Sequence, residues 1–178
     1  EAAIATFVGV CALCVAGYTA YMQRQQVRAA VWPILEFDSS NAPEIRFTLS
    51  NKGVGPAIIK HVIVRVDGQP VRNWHEGLGK LLGPGEHHAF ESDMSGRVLS
   101  AGESMVVLAP HGPDDRPFTF DRSNPIWMKM NKDRERVAVE ICYSSTLGES
   151  WTLRAGGKSR SRTTEVRSCP EPSATSFQ

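Results

Sequence analysis

Hydrophobic positions fall along this chain in two distinct patterns. Residues 2 to 22 carry no charge and include Ile4, Phe7, Val8, Val10, Leu13 and Val15. A run of about 20 apolar residues is what a helix needs to cross a hydrocarbon core. Tyr18, Tyr21, Arg24, Arg28 and then Trp32 follow at its end, the aromatic and cationic side chains expected at a membrane interface. The competing reading, a cleaved signal peptide, wants a basic start and small residues before a cut site. A cut after Ala20 would put Tyr18 at the third position before it. The pattern therefore predicts an anchor over residues 1–22, lying in the lipid bilayer. Residues 23–30 (QRQQVRAA) are good helix formers and predict a helical stalk that Trp32-Pro33 stops.

Beyond the stalk the period changes from helical to two-residue alternation. VWPILEF (31–37) predicts an edge strand that tolerates Pro33 near its start. EIRFTLSN (44–51) alternates Ile45, Phe47 and Leu49 against Arg46, Thr48 and Ser50, a strand covered on one side. NKGVGPA (51–57) predicts a tight reversal in which Gly53 and Gly55 supply positive backbone angles beside Pro56. Residues 58–66 form a long strand, and Asp67-Gly68 predicts a type I′ hairpin into a short partner over 69–72. Residues 73–96 have no sustained period and predict loop with a helical turn near 78–82.

Strands are expected over 98–99, 105–108 and 118–120, and a short helix with Asn124 as cap and Pro125 at its first position over 124–135. RVAVEICYS (136–144) and residues 151–154 make a final hairpin around Leu147-Gly148-Glu149. About seven short strands predict a mainly β domain over residues 31–154, an antiparallel immunoglobulin-like sandwich or partly open barrel. Residues 155–178, rich in Ser, Thr, Gly and Pro, predict a disordered tail.

Three segments also resemble a loose group of bacterial single-pass membrane-anchored proteins of unassigned function. They are the juncture Arg28-x-x-Val31-Trp32-Pro33, the turn Asn51-x-Gly53-x-Gly55-Pro56-Ala57, and a late Tyr143 strand paired with one bearing Trp151. The resemblance implies an immunoglobulin-like sandwich held at a bacterial membrane, and it carries over no activity.

Charge changes this picture little. The chain has 178 residues, with 20 Lys and Arg against 19 Asp and Glu, so no global field draws in nucleic acid or an acidic substrate. Residues 155–178 hold four of the basic and two of the acidic groups. The run KSRSR (158–162) is the one candidate contact for anionic lipid or nucleic acid, set against a solubilising tail.

Candidate chemistry is sparse. His87 and His88 with Glu86, Glu91 and Asp93 have the composition of a metal cluster, the basis for a metal-dependent hydrolase in 73–93 as the alternative function. Adjacent histidines in a strand point to opposite faces, which argues against a shared ion. His61 is expected to face solvent or an edge, and His75 and His111 to lie in loops. Asp114-Asp115 beside Arg116 reads as a solvated turn, and the sequence holds no G-x-S-x-G, H-E-x-x-H or P-loop. No catalytic residue, metal or cofactor is assigned.

Of four cysteines, Cys11 and Cys14 lie in the anchor, and Cys142 and Cys169 are either a pair in an exported domain or two free thiols. Trp32, Trp74, Trp127 and Trp151 do not make a binding surface by themselves: Trp151 reads as a core or cross-strand packing residue and Trp32 as a headgroup contact. Ala12, Ala16 and Ala20 recur every four residues, as do Ala5 and Gly9, with Gly17 two turns on. That spacing would suit a second copy or another membrane helix.

The expected function is a membrane-tethered, non-enzymatic accessory module that presents its sandwich to a protein partner, with no specific nucleic acid bound. Arg24 and Arg28 place the domain in the cytoplasm of an inner-membrane protein by charge bias. A chain opening on Glu1 leaves room for upstream lysines that would reverse it.

Overall fold

The computed structural model describes residues 2–112, 116–157, 160–171 and 176–177. Helix α1 spans Ala2–Ala30, so anchor and stalk form one element without a break. At 1.5 Å per residue its 29 residues extend about 43 Å. Its apolar side chains are exposed all round, Phe7 and Leu13 among them, which water alone does not tolerate in a helix of this length. It is long and apolar enough to cross a membrane.

The rest is mainly strand: β1 (Leu35–Ser40), β2 (Arg46–Asn51), β3 (Ala57–Val66), β4 (Gln69–Val71), β5 (His88–Glu91), β6 (Val98–Leu99), β7 (Ser104–His111), β8 (Val137–Ser144), β9 (Ser150–Gly156) and β10 (Arg162–Val166). They build two antiparallel sheets, one ordered β1-β2-β7-β5 and the other β10-β9-β8-β3-β4, with β6 pairing β3. With β1, β2, β3, β4, β5, β7, β8 and β9 taken as A, B, C, C′, D, E, F and G, the orders are A-B-E-D and G-F-C-C′, the immunoglobulin arrangement. The expected sandwich is present.

Between the sheets lie Phe47, Leu49, Ile59, Val62, Leu108, Val139, Ile141 and Tyr143, all buried. Helices α2 (Trp74–Leu82) and α3 (Pro125–Asp133) extend this core with Trp74, Leu78, Trp127 and Met130. Asp67 and Gly68 both have positive φ, as a type I′ turn between β3 and β4 requires.

Expectations for three segments are corrected. The stretch 73–96, read as loop with a helical turn near 78–82, holds a longer capped helix over Trp74–Leu82 and the strand β5: Asn73 accepts from the Glu76 amide, satisfying an orphan donor of the first turn. His75 consequently sits on α2, and His111 ends β7. Residues 118–120 make no strand, only isolated bridges, with the Phe120 amide donating to Pro43 and the Phe118 carbonyl accepting from Ile45.

The tail beyond 154 is ordered wherever it is described, which is the third correction. It pairs as β10 along β9, is tied by a Cys142–Cys169 disulfide, and ends with Phe177 in the core edge-on to Trp74. The Phe177 amide donates to Val62 and its carbonyl accepts from Ser95 Oγ. Polar composition misled here because the ordering comes from a covalent tie and one aromatic anchor, neither of which is a compositional average.

The same strap explains His61. A register irregularity between Ile59 and His61 sets His61 opposite Cys142, and where Cys169 crosses, β8 is buried on both faces from Ile141 to Ser144. His61 is only 6% exposed, not solvent-facing, and its Nε2 has no hydrogen-bond partner.

If Phe177 anchors the tail, Phe177→Ala should lower the unfolding free energy by about 3 kcal/mol, the usual cost of emptying an aromatic site. Chemical denaturation of the domain measures it, and an unchanged midpoint would contradict the tail's place in the core.

Candidate functional site at the helix–domain juncture

The chain leaves α1 at Ala30 and must turn onto the sandwich within four residues to enter β1. That turn is organised by Asn51, the last residue of β2, which is fully buried. Its Oδ1 accepts from the amides of Ile34 (3.2 Å) and Gly53 (3.0 Å). Its Nδ2 donates to the carbonyls of Gly55 (2.8 Å) and Leu99 (3.1 Å). All four hydrogen-bonding positions of the carboxamide are used. The Asn51 main chain also bonds the β6–β7 turn, donating to Glu103 and accepting from Gly102.

Around this hub the segment after α1 lies directly on the β2–β3 loop. Lys52 donates to Ile34, while Val54 and Gly55 donate to the Trp32 carbonyl. A Cβ on Gly53 would stand 2.7 Å from Pro33 Cα, and one on Gly55 would stand 2.5 Å from Val31 Cα. Both are backbone atoms of the segment that leads out of the helix. The two glycines are therefore required by close approach. Neither has the positive φ expected of it, which corrects the reason but not the importance.

A second set of contacts ties the helix itself. Arg28 Nε pairs with Glu149 at 3.0 Å in the β8–β9 turn, and Trp32 stacks on Trp151 of β9 with ring centroids 6.4 Å apart. Trp151 in turn packs on Tyr143, whose hydroxyl accepts from the Leu35 amide at 3.5 Å. Burial raises the Tyr143 phenol above its ordinary pKa, opposed by its bonds to Leu35 and Thr163, so it is a neutral structural group at any physiological pH. Between helix and domain a cleft of about 300 Å³ is lined by Gln25, Arg28, Trp32, Glu149, Trp151 and Glu165.

The remaining predicted site residues are placed as follows. Tyr18 and Tyr21 are exposed on α1, as are Ala12, Ala16 and Ala20, and nothing lies within 4 Å of where a Cβ on Gly9 or Gly17 would be. The structure brings Arg28 and Trp32 to the domain and leaves Arg24 exposed one turn below. Arg162 is part of β10 and exposed, while Lys158, Asp114 and Asp115 lie outside the described residues.

His87, His88 and His111 line a separate cleft of about 370 Å³ between the α2–β5 loop and α3. His87 Nε2 lies 2.8 Å from the Gly83 carbonyl, and among the described residues no three His, Cys, Asp or Glu side chains are placed to hold a metal. In β5 the Glu91 carboxyl is raised by burial, with Asp93 adding to the shift and His75 opposing it.

Sequence reasoning singled out Gly53 and Gly55 as turn residues but read Arg28 and Trp32 as membrane-interface side chains, whereas both contact the domain, and it missed Asn51, Glu149 and Glu165. Asn at the start of N-x-G-x-G-P-A was the one available signal. Comparison with family models, with curated proteins and with solved structures finds no match to this chain.

Asn51→Ala should cost about 3 kcal/mol, because it strands two buried carbonyls and two part-buried amides. Gly55→Ala should cost about 2 kcal/mol by forcing the Val31 backbone away. Thermal unfolding monitored at the tryptophans reads both, and a Gly55→Ala variant as stable as the parent would contradict the close approach.

Proposed function

We propose that this chain is a membrane-anchored, non-enzymatic presentation module of a bacterial cytoplasmic membrane: α1 spans the bilayer and the sandwich is held above it for a protein partner. The observation that carries the reading is the Asn51 hub, which fastens the helix exit to the β2–β3 loop and the end of β6 instead of leaving a flexible linker. A domain that only needed to stay near a membrane would need no such fixture, and a signal peptide destined for removal would need none either. Fixed height and orientation matter when a partner must meet one face of the domain.

That face is the free edge at β10. β1 of the first sheet contacts β9 of the second, so β10 lies beyond that contact as an overhanging edge strand with exposed residues from Arg162 to Glu165. An extended segment of a partner can add to such an edge through main-chain hydrogen bonds. The Ala12, Ala16 and Ala20 stripe offers a second copy a place to pack within the bilayer.

For sidedness two effects compete. Arg24 and Arg28 favour the cytoplasm by charge bias, whereas a Cys142–Cys169 bridge persists only where thiols stay oxidised. Closing the loop of 27 residues contributes about 3.5 kcal/mol to stability, so a reducing compartment would forfeit it. We take the bridge as the stronger argument and put the domain on the oxidising side.

A photoreactive residue at Thr164 in the full chain, irradiated in native membranes, should give a discrete protein adduct, and one at Gln69 on the far hairpin should not. Adducts from Gln69 alone would overturn the edge assignment. In the same membranes Cys142 and Cys169 should resist alkylation until reduced. Alkylation without reductant would return the domain to the cytoplasm.

A further inference from the structure

The cleft at the juncture is unequal in charge. One arginine, Arg28, faces two glutamates, and Glu149 already holds that arginine at 3.0 Å. Glu165 is left exposed on β10, directly opposite Trp151 in the strand register. The Trp32 indole, stacked on Trp151 and still half exposed, adds an aromatic surface to the same cavity. A net negative pocket with an indole wall is the arrangement that takes an ammonium group, by ion pairing to the carboxylate and by attraction to the ring face.

The height of the cleft says where the ammonium comes from. Gln25 and Arg28 lie three and six residues beyond Met22, where the uncharged run ends, so they stand about 4.5 and 9 Å further along the helix. A headgroup layer is about 5 to 8 Å thick on each side of the hydrocarbon. Arg24 lies one turn below Arg28 on the same helix face, at the level of the lipid phosphates. The lower mouth of the cleft, at Gln25, therefore opens into the headgroup layer, and Arg28 and Trp32 stand at its outer edge, with a cation site above an anion site.

We propose that this cleft holds the headgroup of an ammonium-bearing phospholipid, with Glu165 and Trp32 on the ammonium and Arg24 on the phosphate. The proposal rests on α1 spanning the bilayer. The bound lipid would fill the gap between helix and sandwich and so complete the fixture that Asn51 begins.

The test uses the full chain in detergent, titrated with phosphatidylethanolamine or with phosphatidylglycerol of the same acyl chains, and retained lipid is read by native mass spectrometry. Phosphatidylethanolamine should be retained at least about fivefold better, a difference of about 1 kcal/mol. Glu165→Gln should abolish the preference without changing the melting temperature, and Glu171→Gln, another exposed glutamate that does not line the cleft, should leave it intact. Equal retention of the two lipids, or a preference that survives Glu165→Gln, would overturn the proposal. Displacement by an equal concentration of soluble glycerophosphoethanolamine would overturn the membrane source. Alkaline extraction of the parent membranes separates the two readings: a chain released by carbonate defeats the spanning helix itself, whereas a chain retained but without lipid preference defeats only the cleft.

Discussion

One buried carboxamide holds the two halves of this molecule together. Asn51 closes β2, and its side chain alone connects the exit of α1, the β2–β3 loop and the end of β6. Inside the protein such a group is favourable only when every donor and acceptor is satisfied, and here all are. Gly53 and Gly55 let two backbones approach closely enough for that to happen, Lys52 and Gly55 complete the main-chain bonds, and the stacked Trp32 and Trp151 cover the outside. The β2–β3, β6–β7 and β8–β9 turns all lie at the end where the helix enters. In immunoglobulin variable domains the β2–β3 and β8–β9 equivalents belong to the antigen-binding end. In this chain they are occupied by the exit of the N-terminal helix.

The opposite side is secured in a different way. Immunoglobulin domains commonly bridge the two sheets by a disulfide through the core. Here Cys142 points away from the core, and its bond to Cys169 fastens a strap across the outer face of the second sheet. Phe177 packs in the core beside Trp74. The outer face of β8 is thus dry near Cys142 and wet near Glu140, where Arg65 and Arg154 hold the carboxyl ionised against the opposing effect of burial.

Much of this was legible in the residue pattern, and the remainder was not for identifiable reasons. Alternation at Glu44 to Asn51 and Arg136 to Ser144, and the Asp67-Gly68 turn, are local signals, and β2, β8 and the β3–β4 hairpin formed where they pointed. The Asn73 and Glu76 spacing was an equally local cap signal for α2 and was available. β5 carries no alternation because it is a mostly exposed edge strand, and β10 is polar because it overhangs the core. Asn51 reads as an ordinary turn residue in one dimension, since two of its four partners, Ile34 and Leu99, approach only after the strands have assembled. His61 was misplaced because a single irregularity in β3 and a strap 108 residues later decide its surroundings, and neither leaves a mark nearby in sequence.

If Asn51 fixes the juncture, α1 and the sandwich move as one body, and the distance between them is the quantity to measure. With Cys11 and Cys14 replaced by alanine and spin labels at Gln26→Cys on α1 and Gln69→Cys on the β3–β4 hairpin, pulsed dipolar spectroscopy in lipid nanodiscs reads that distance. A fixed juncture predicts one narrow distribution that broadens in the Asn51→Ala background. A broad distribution in the parent chain, unchanged by Asn51→Ala, would show a flexible tether and contradict the role assigned to Asn51.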